Sequence, residues 1–212
     1  MHYRYLKKYS IGFTLIELIV TIAIAGIMMS IAIPSFTQTI RNSRLTTNIN
    51  QLVTSLNLAR SEAIKRGQPV TVLRTGGGTG VWEQGWTVFT DLDGDGVQED
   101  NGALDDDILI RVYSALPNNF TLRASGKDKN DNIVDIDNVT FQSSGISNNS
   151  NVINFVLCEN SDGNNIPEAN TSRLVLINMV GRVRMGDDAD NNGIQENKDG
   201  TEITSCTVSP FI

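Results

Sequence analysis

Histidine is almost missing from this sequence: its 212 residues include one, His2, within the first twelve. Once those twelve are set aside, Ser-His-Asp, Cys-His and histidine-zinc chemistries have no residue to work with, and most hydrolase and metalloenzyme readings end. Cysteine is nearly as scarce. Cys158 and Cys206 are the only two, and they lack metal-ligand spacing. In an exported protein they read as one disulfide, whereas a cytosolic home would leave them as thiols. Positive charge is also in deficit, with 17 Lys and Arg against 24 Asp and Glu, a formal charge of −7. Without Arg4, Lys7 and Lys8 of the first twelve residues the balance is 14 against 24. That argues against a polyanion-binding surface spread over the whole molecule. There is no internal repeat. After the one long apolar run there is room for a single soluble domain of about 150 residues, so two or three domains are excluded.

That apolar run is the most informative segment. Residues 1–12 (MHYRYLKKYSIG) are basic and free of acids, and residues 13–33 (FTLIELIVTIAIAGIMMSIAI) are almost wholly apolar. A helix of that length spans about 32 Å, close to a bilayer core of about 30 Å. An ordinary secretory signal and a plain signal anchor compete with this reading. Ala23-Ile24-Ala25 offers a small-x-small pattern, but it lies inside the run rather than after it. Glu17 argues against both, because a carboxylate in a membrane-spanning helix costs about 2.5–3.5 kcal/mol at the bilayer centre.

Gly12-Phe13-Thr14-Leu15-Ile16-Glu17 resembles the prepilin peptidase site of type IV pilins and type II secretion pseudopilins. The resemblance implies cleavage between Gly12 and Phe13 and N-methylation of Phe13. It also implies that Glu17 neutralises the N-terminal amine of a neighbouring subunit during assembly. Pairing gives a physical reason for a buried acid, since each charge alone in hydrocarbon is costly. Pro34 sits where such proteins place a helix-bending proline.

From Pro34 to Arg66, Ile49, Leu52, Leu56, Ala59 and Ala63 recur in steps of three and four, one face of an amphipathic helix. Gly67 and Pro69 stop it. Beyond Pro69 come alternating runs: Val70–Arg74, Trp86–Thr90, Ile108–Val112, Phe120–Arg123, Val139–Gln142, Ile153–Leu157, Arg173–Ile177 and Arg182–Met185. They are separated by Gly, Asn and Asp turns, which predicts antiparallel sheets laid against the helix. Trp86 and Phe89 are expected in its core. The expected fold class is α+β and pilin-like: a leader (1–12), a transmembrane or filament-core helix (13–33), its amphipathic continuation (34–66) and a β-rich head (67–212). Residues 67–212 carry nine basic and 22 acidic residues, opposite in sign to the helix before them.

The order of a glycine-rich loop with Trp82 and Trp86, the Leu157-Cys158 pair, Gly181-Arg182-Val183-Arg184 and Cys206 is similar to the GspH/FimT group of minor pilins and pseudopilins. In FimT-like proteins of natural transformation a GRxR motif is associated with DNA binding, which implies a DNA-binding role for Arg182 and Arg184. On a strand the two share a face about 7 Å apart, a spacing that suits adjacent phosphates, with Val183 and Met185 pointing inward. Arg173 is a candidate third charge. The competing reading pairs these arginines with Asp187, Asp188 and Asp190. The long acidic loops depart from the family pattern.

Two of those loops follow a calcium-loop template. Asp91, Asp93, Asp95 and Glu99 stand at positions one, three, five and nine with Gly96 at six, although Gly102 replaces the acid at twelve. Asp188, Asp190, Asn192, Gly193, Glu196 and Asp199 meet it slightly better. Asp-Gly and Asn-Gly are also ordinary turn formers. No other cofactor is expected, nor is enzymatic activity: runs such as Asp105-Asp106-Asp107 lie in polar, turn-like sequence.

The expected function is therefore a minor pilin that builds or initiates a type IV pilus, with DNA uptake through GRxR. The alternative is a minor pseudopilin of a type II secretion system. Expected partners are other pilin or pseudopilin subunits, prepilin peptidase, the inner membrane and DNA. The expected location is a single-pass inner-membrane anchor with a periplasmic head, moving into a filament.

Overall fold

The computed structural model describes residues 12–99, 107–128, 130–148 and 152–209. Most of the expected leader, together with Gly102, Asp105, Asp106 and the side chain of Pro34, lies outside the described residues. One helix, α1 (Leu15–Arg66), contributes to both of the compact units into which the chain divides, Met1–Ile40 and Arg41–Ile212.

In the first unit, Thr14 begins the helix. Its carbonyl accepts from Leu18 N at 3.1 Å and its Oγ1 from Glu17 N at 3.2 Å. Thr14-x-x-Glu17 therefore has capping-box spacing, and Glu17 places a negative charge in the first turn, where the helix dipole favours it. The large side chains that follow are apolar and exposed, Leu15 at 75% and Ile31 at 71%. The most apolar 18-residue window has a mean hydropathy of 2.4, so the helix is long and apolar enough to cross a membrane. Thr21, Ser30, Thr37 and Thr39 turn their hydroxyls onto carbonyls three or four residues back, which satisfies those donors without water.

In the second unit the helix has one buried stripe, Leu45, Ile49, Leu52, Leu56, Ala59 and Ala63. This extends the expected face by one turn to Leu45. Gly67, at φ +67°, ends the helix by donating its N–H to Ala63 O at 3.0 Å.

Nine strands follow: β1 (Val70–Arg74), β2 (Trp86–Thr90), β3 (Leu109–Tyr113), β4 (Phe120–Lys127), β5 (Ile133–Asp135), β6 (Asn138–Phe141), β7 (Ile153–Glu159), β8 (Ser172–Ile177) and β9 (Val183–Met185). They form two antiparallel sheets, in the orders β3-β2-β1-β6 and β5-β4-β7-β8-β9. The fold is the expected α+β arrangement, with the helix stripe and the inner faces of both sheets sharing one core. Trp86 and Phe89 are fully buried, and the Trp86 indole donates to Ser55 Oγ on the helix at 2.8 Å. Ser55 in turn donates to Leu52 O at 2.7 Å, so this polar pair in the core has its partners. Trp82 meets Phe155 edge-on at 4.9 Å and donates to Ile136 O.

The second sheet buries both faces. Phe120, Leu122, Phe155, Leu157, Val175 and Ile177 face the main core. On the opposite face Val156, Cys158, Leu174 and Leu176 form a second cluster, closed by Ile194, Ile203 and Cys206 from the segment after β9. The sequence reading missed β5 and ended β4 four residues early. β5 is a three-residue edge strand with Ile133 48% exposed, so it carries little of the alternation that marks a strand.

Candidate functional site

The turn between β8 and β9 sets the Gly181-Arg182-Val183-Arg184 motif. Asn178 O accepts from Gly181 N at 2.8 Å, Asn178 N donates to Arg182 O at 3.2 Å, and Asn178 Oδ1 accepts from Arg182 N at 2.8 Å. Gly181 has φ +73°, and a Cβ there would lie 2.1 Å from Gly145 O. Only glycine fits both the left-handed backbone and that approach. Arg60 of the helix braces the turn by donating to Gly145 O at 2.9 Å and Val180 O at 3.3 Å.

β9 pairs with β8 so that Leu176 faces Arg184 and Ile177 faces Val183. Leu176 belongs to the outer cluster and Val183 packs on the main core, so Arg184 stands on the outer face. Met185 shares the inner parity but is 37% exposed rather than packed inward. Arg182 and Arg184 both line a cleft of about 810 Å³, whose floor includes Ser125, Asn154 and Leu176. Lys127 and Lys198 also line it, as do Asp131 and Asp199. Lys127 is paired with Asp131 at 2.9 Å, and Asn154 Oδ1 is a buried acceptor without a donor. Among the described residues no acid lies within 4.0 Å of either Arg182 or Arg184, so the expected competition from Asp187, Asp188 and Asp190 takes no ion-pair form.

Arg173 does not join them. It pairs with Leu157 and shares parity with Val175 and Ile177, on the inner side of the sheet. It is half-buried and donates to Ser172 O at 2.7 Å, and burial pushes its pKa below the usual arginine value. A third phosphate-facing charge from Arg173 is thus corrected by the alternation of β8. Lys198 is the cation that sequence reasoning passed over, because only the fold carries it back to the cleft.

The two acidic turns differ in how their carboxylates are satisfied. Asp91, Asp93 and Asp95 bring carboxylate oxygens within 4.8 Å of one another. Asp91 is fully buried, and both of its oxygens are taken: Oδ1 accepts from Gly94 N at 2.9 Å and Oδ2 from Thr71 Oγ1 at 2.5 Å. Asp93 and Asp95 accept from the amides of Asp95 and Val97. In the second turn the converging group is Asp188, Asp190 and Glu196. Asn192 stands beside them. Its amide donates to Asp190 and Glu202, and its Oδ1 accepts from Ile194 N. Asp199 lines the arginine cleft instead.

Cys158 and Cys206 form a disulfide with Cα atoms 5.8 Å apart, fastening the segment after β9 to β7. Gly12, Phe13 and Glu17 are exposed at the start of the first unit.

A long, outwardly apolar N-terminal helix continuing into a head of two antiparallel sheets defines the pilin and pseudopilin class. Residues 7–33 match the prokaryotic N-terminal methylation motif. Residues 48–181, more than half of the chain, match the family described as type II transport protein GspH, and the chain belongs to that family. It is 36% identical over 85 residues to a fimbrial protein of Pseudomonas aeruginosa. That stretch covers 40% of this chain and 54% of the relative, so the chain spans about half the length of the curated relatives it matches. The type IV minor pilin FimU of Pseudomonas aeruginosa has a similar fold, with TM-score 0.51 and 17% identity, over 77% of this chain and 96% of that one. The minor pseudopilin EpsH of Vibrio cholerae gives TM-score 0.44 and 14% identity, over 67% of this chain and 95% of that one.

Proposed function

We propose that this chain is a minor pilin of a type IV pilus whose cleft at Arg182 and Arg184 binds the phosphates of DNA. Prepilin peptidase cuts between Gly12 and Phe13, and Phe13 is methylated. Residues 13–33 hold the chain in the inner membrane until it enters the filament beside other pilin subunits, with the head in the periplasm. The role is that of a structural or initiating subunit, with no catalytic step. The observation that carries the DNA reading is the arginine pair itself: two guanidiniums on one outer face, lining a cleft, with no acid within 4.0 Å among the described residues. Guanidinium suits phosphate because its fixed fork of donors matches the oxygens.

Two phosphate contacts predict weak, sequence-independent binding, with a slope of log affinity against log salt near about −1.8. Between 50 and 200 mM salt that is a loss of about tenfold, much shallower than for a dedicated DNA-binding domain. Titration of the full chain in detergent with duplex DNA at several salt concentrations measures this. Arg182→Gln with Arg184→Gln should abolish binding, whereas Arg173→Gln should leave it unchanged. Equal binding by the double variant would move the DNA site elsewhere.

The second reading, a minor pseudopilin of a type II secretion system, is favoured by the family's description as a type II transport protein. Deleting the gene separates the two: a pilus subunit costs piliation and transformation, and a pseudopilin costs secretion.

A further inference from the structure

We propose that Asp188, Asp190 and Glu196 bind one calcium ion, which holds the segment between β9 and Cys206 in place on the second sheet. Their carboxylate oxygens lie within 4.8 Å of one another. Two oxygens bound to one calcium at 2.3–2.6 Å are at most about 5 Å apart, so a single ion can reach all three.

Convergence of acids alone would not carry this, and the Asp91 turn shows why. Every oxygen of its buried acid already has a donor. In the Asp188 turn the donors fall short: Asp190 accepts from Asn192 N at 3.1 Å and Asn192 Nδ2 at 3.0 Å, but Asp188 and Glu196 are not fully supplied. Glu196 is only 8% exposed, yet among the described residues its carboxylate receives no hydrogen bond and has no cation within 4.0 Å. Asp188 holds Gly193 N with Oδ2 at 3.0 Å, while its Oδ1 is buried and has no partner. A buried carboxylate without donors is normally protonated or metal-bound. Here the buried, unpartnered Asp188 Oδ1 and the Glu196 carboxylate converge, and Asp190, whose two oxygens accept from Asn192, stands beside them. A divalent cation satisfies all three at once, whereas one shared proton would satisfy two.

The donor set is oxygen only, with no imidazole or thiolate, which selects a hard cation. Glu196 and Asp188 are spaced along a loop with Gly193 at φ +87° between them, and such flexible carboxylate loops suit calcium better than the strict octahedron of magnesium. The ion would act at the root of the covering segment. Glu196 pairs with Asp187 just after β9, and residues Ile194, Ile203 and Cys206 beyond it close the outer cluster. Calcium at one end and the disulfide at the other would pin this cover at two points.

The test is calorimetric titration of the full chain, purified in detergent and stripped with chelator, using calcium chloride alone. One equivalent should bind, with a dissociation constant at or below the roughly 10⁻⁴ to 10⁻³ M of extracellular calcium modules. Asp190→Asn keeps an oxygen for Asn192 N at an exposed position, so it should fold normally while weakening calcium at least tenfold. Glu196→Gln should do the same. Asp93→Asn, in the satisfied turn, should leave binding unchanged. Calcium should also slow proteolysis within residues 186–205 in the parent but not in Asp190→Asn. No binding by the parent at 10 mM calcium, unchanged binding in both variants, loss of binding in Asp93→Asn, or equally tight magnesium binding would each overturn the assignment.

Discussion

Glu17→Gln should leave the chain in the membrane fraction at parental levels, or slightly above, and lower its recovery in sheared filaments by more than a hundredfold. Removing the carboxylate lifts an insertion penalty of at most about 2.5–3.5 kcal/mol, so anchoring does not suffer. If Glu17 neutralises the N-terminal amine of a neighbouring subunit, as the pilin resemblance implies, assembly does, because that ammonium then stays buried without its counter-charge. Breaking a buried pair in this way costs about 3–5 kcal/mol. At about 1.4 kcal/mol per decade that is about two to three and a half orders of magnitude. Glutamine also separates this role from a purely local one. Glu17 occupies the third helical position after Thr14, where either Glu or Gln completes a capping box. A merely capping Glu17 would therefore tolerate Gln, and normal filament recovery of the variant would refute the pairing.

The second large effect concerns the disulfide. Cys158 and Cys206 are 48 positions apart, and closing such a loop is worth about 4 kcal/mol on the chain-entropy model. Replacing both with Ser should lower the melting temperature by about 8–16 °C, at about 2–4 °C per kcal/mol for a chain of this size. The loss should be concentrated in the outer cluster of the second sheet, where Ile194, Ile203 and Cys206 lie against Val156, Leu174 and Leu176. Thermal unfolding of the parent and the double variant, followed by circular dichroism, measures it. A difference under 2 °C would show that the cover is held by its apolar contacts alone.

Much of this fold is legible in the residues because it follows local periodicity. The helix stripe from Ile49 to Ala63 is visible in its steps of three and four, and Leu45 continues the same series. β1 and β2 keep the bounds that alternation predicts, since their inward side chains, Val70, Val72, Trp86 and Val88, are unmistakably apolar. β5 escapes because three edge residues with an exposed Ile133 leave no pattern to read. The candidate site is less legible, because its membership is decided between strands. Arg173 is a candidate third charge by sequence, and the β7–β8 and β8–β9 registers put it on the opposite face of the sheet from Arg184. Asn192 and Glu196 both fit the ligand template by spacing, and the fold brings the Glu196 carboxylate to Asp188 and Asp190 while the Asn192 amide nitrogen donates to Asp190 and Glu202. One signal was available in the sequence: Thr14-x-x-Glu17 is a capping-box spacing, readable without any structure.

The central claim is that this chain is a processed subunit of a type IV pilus. Mass spectrometry of sheared, washed filaments tests it most directly. The account predicts a peptide beginning at Phe13, carrying one added methyl group on its amine, present far below the level of the major subunit and absent when the gene is deleted. A chain found only in the membrane fraction with its first twelve residues intact, or a deletion strain that keeps its pili and its transformation but loses protein secretion, would contradict it.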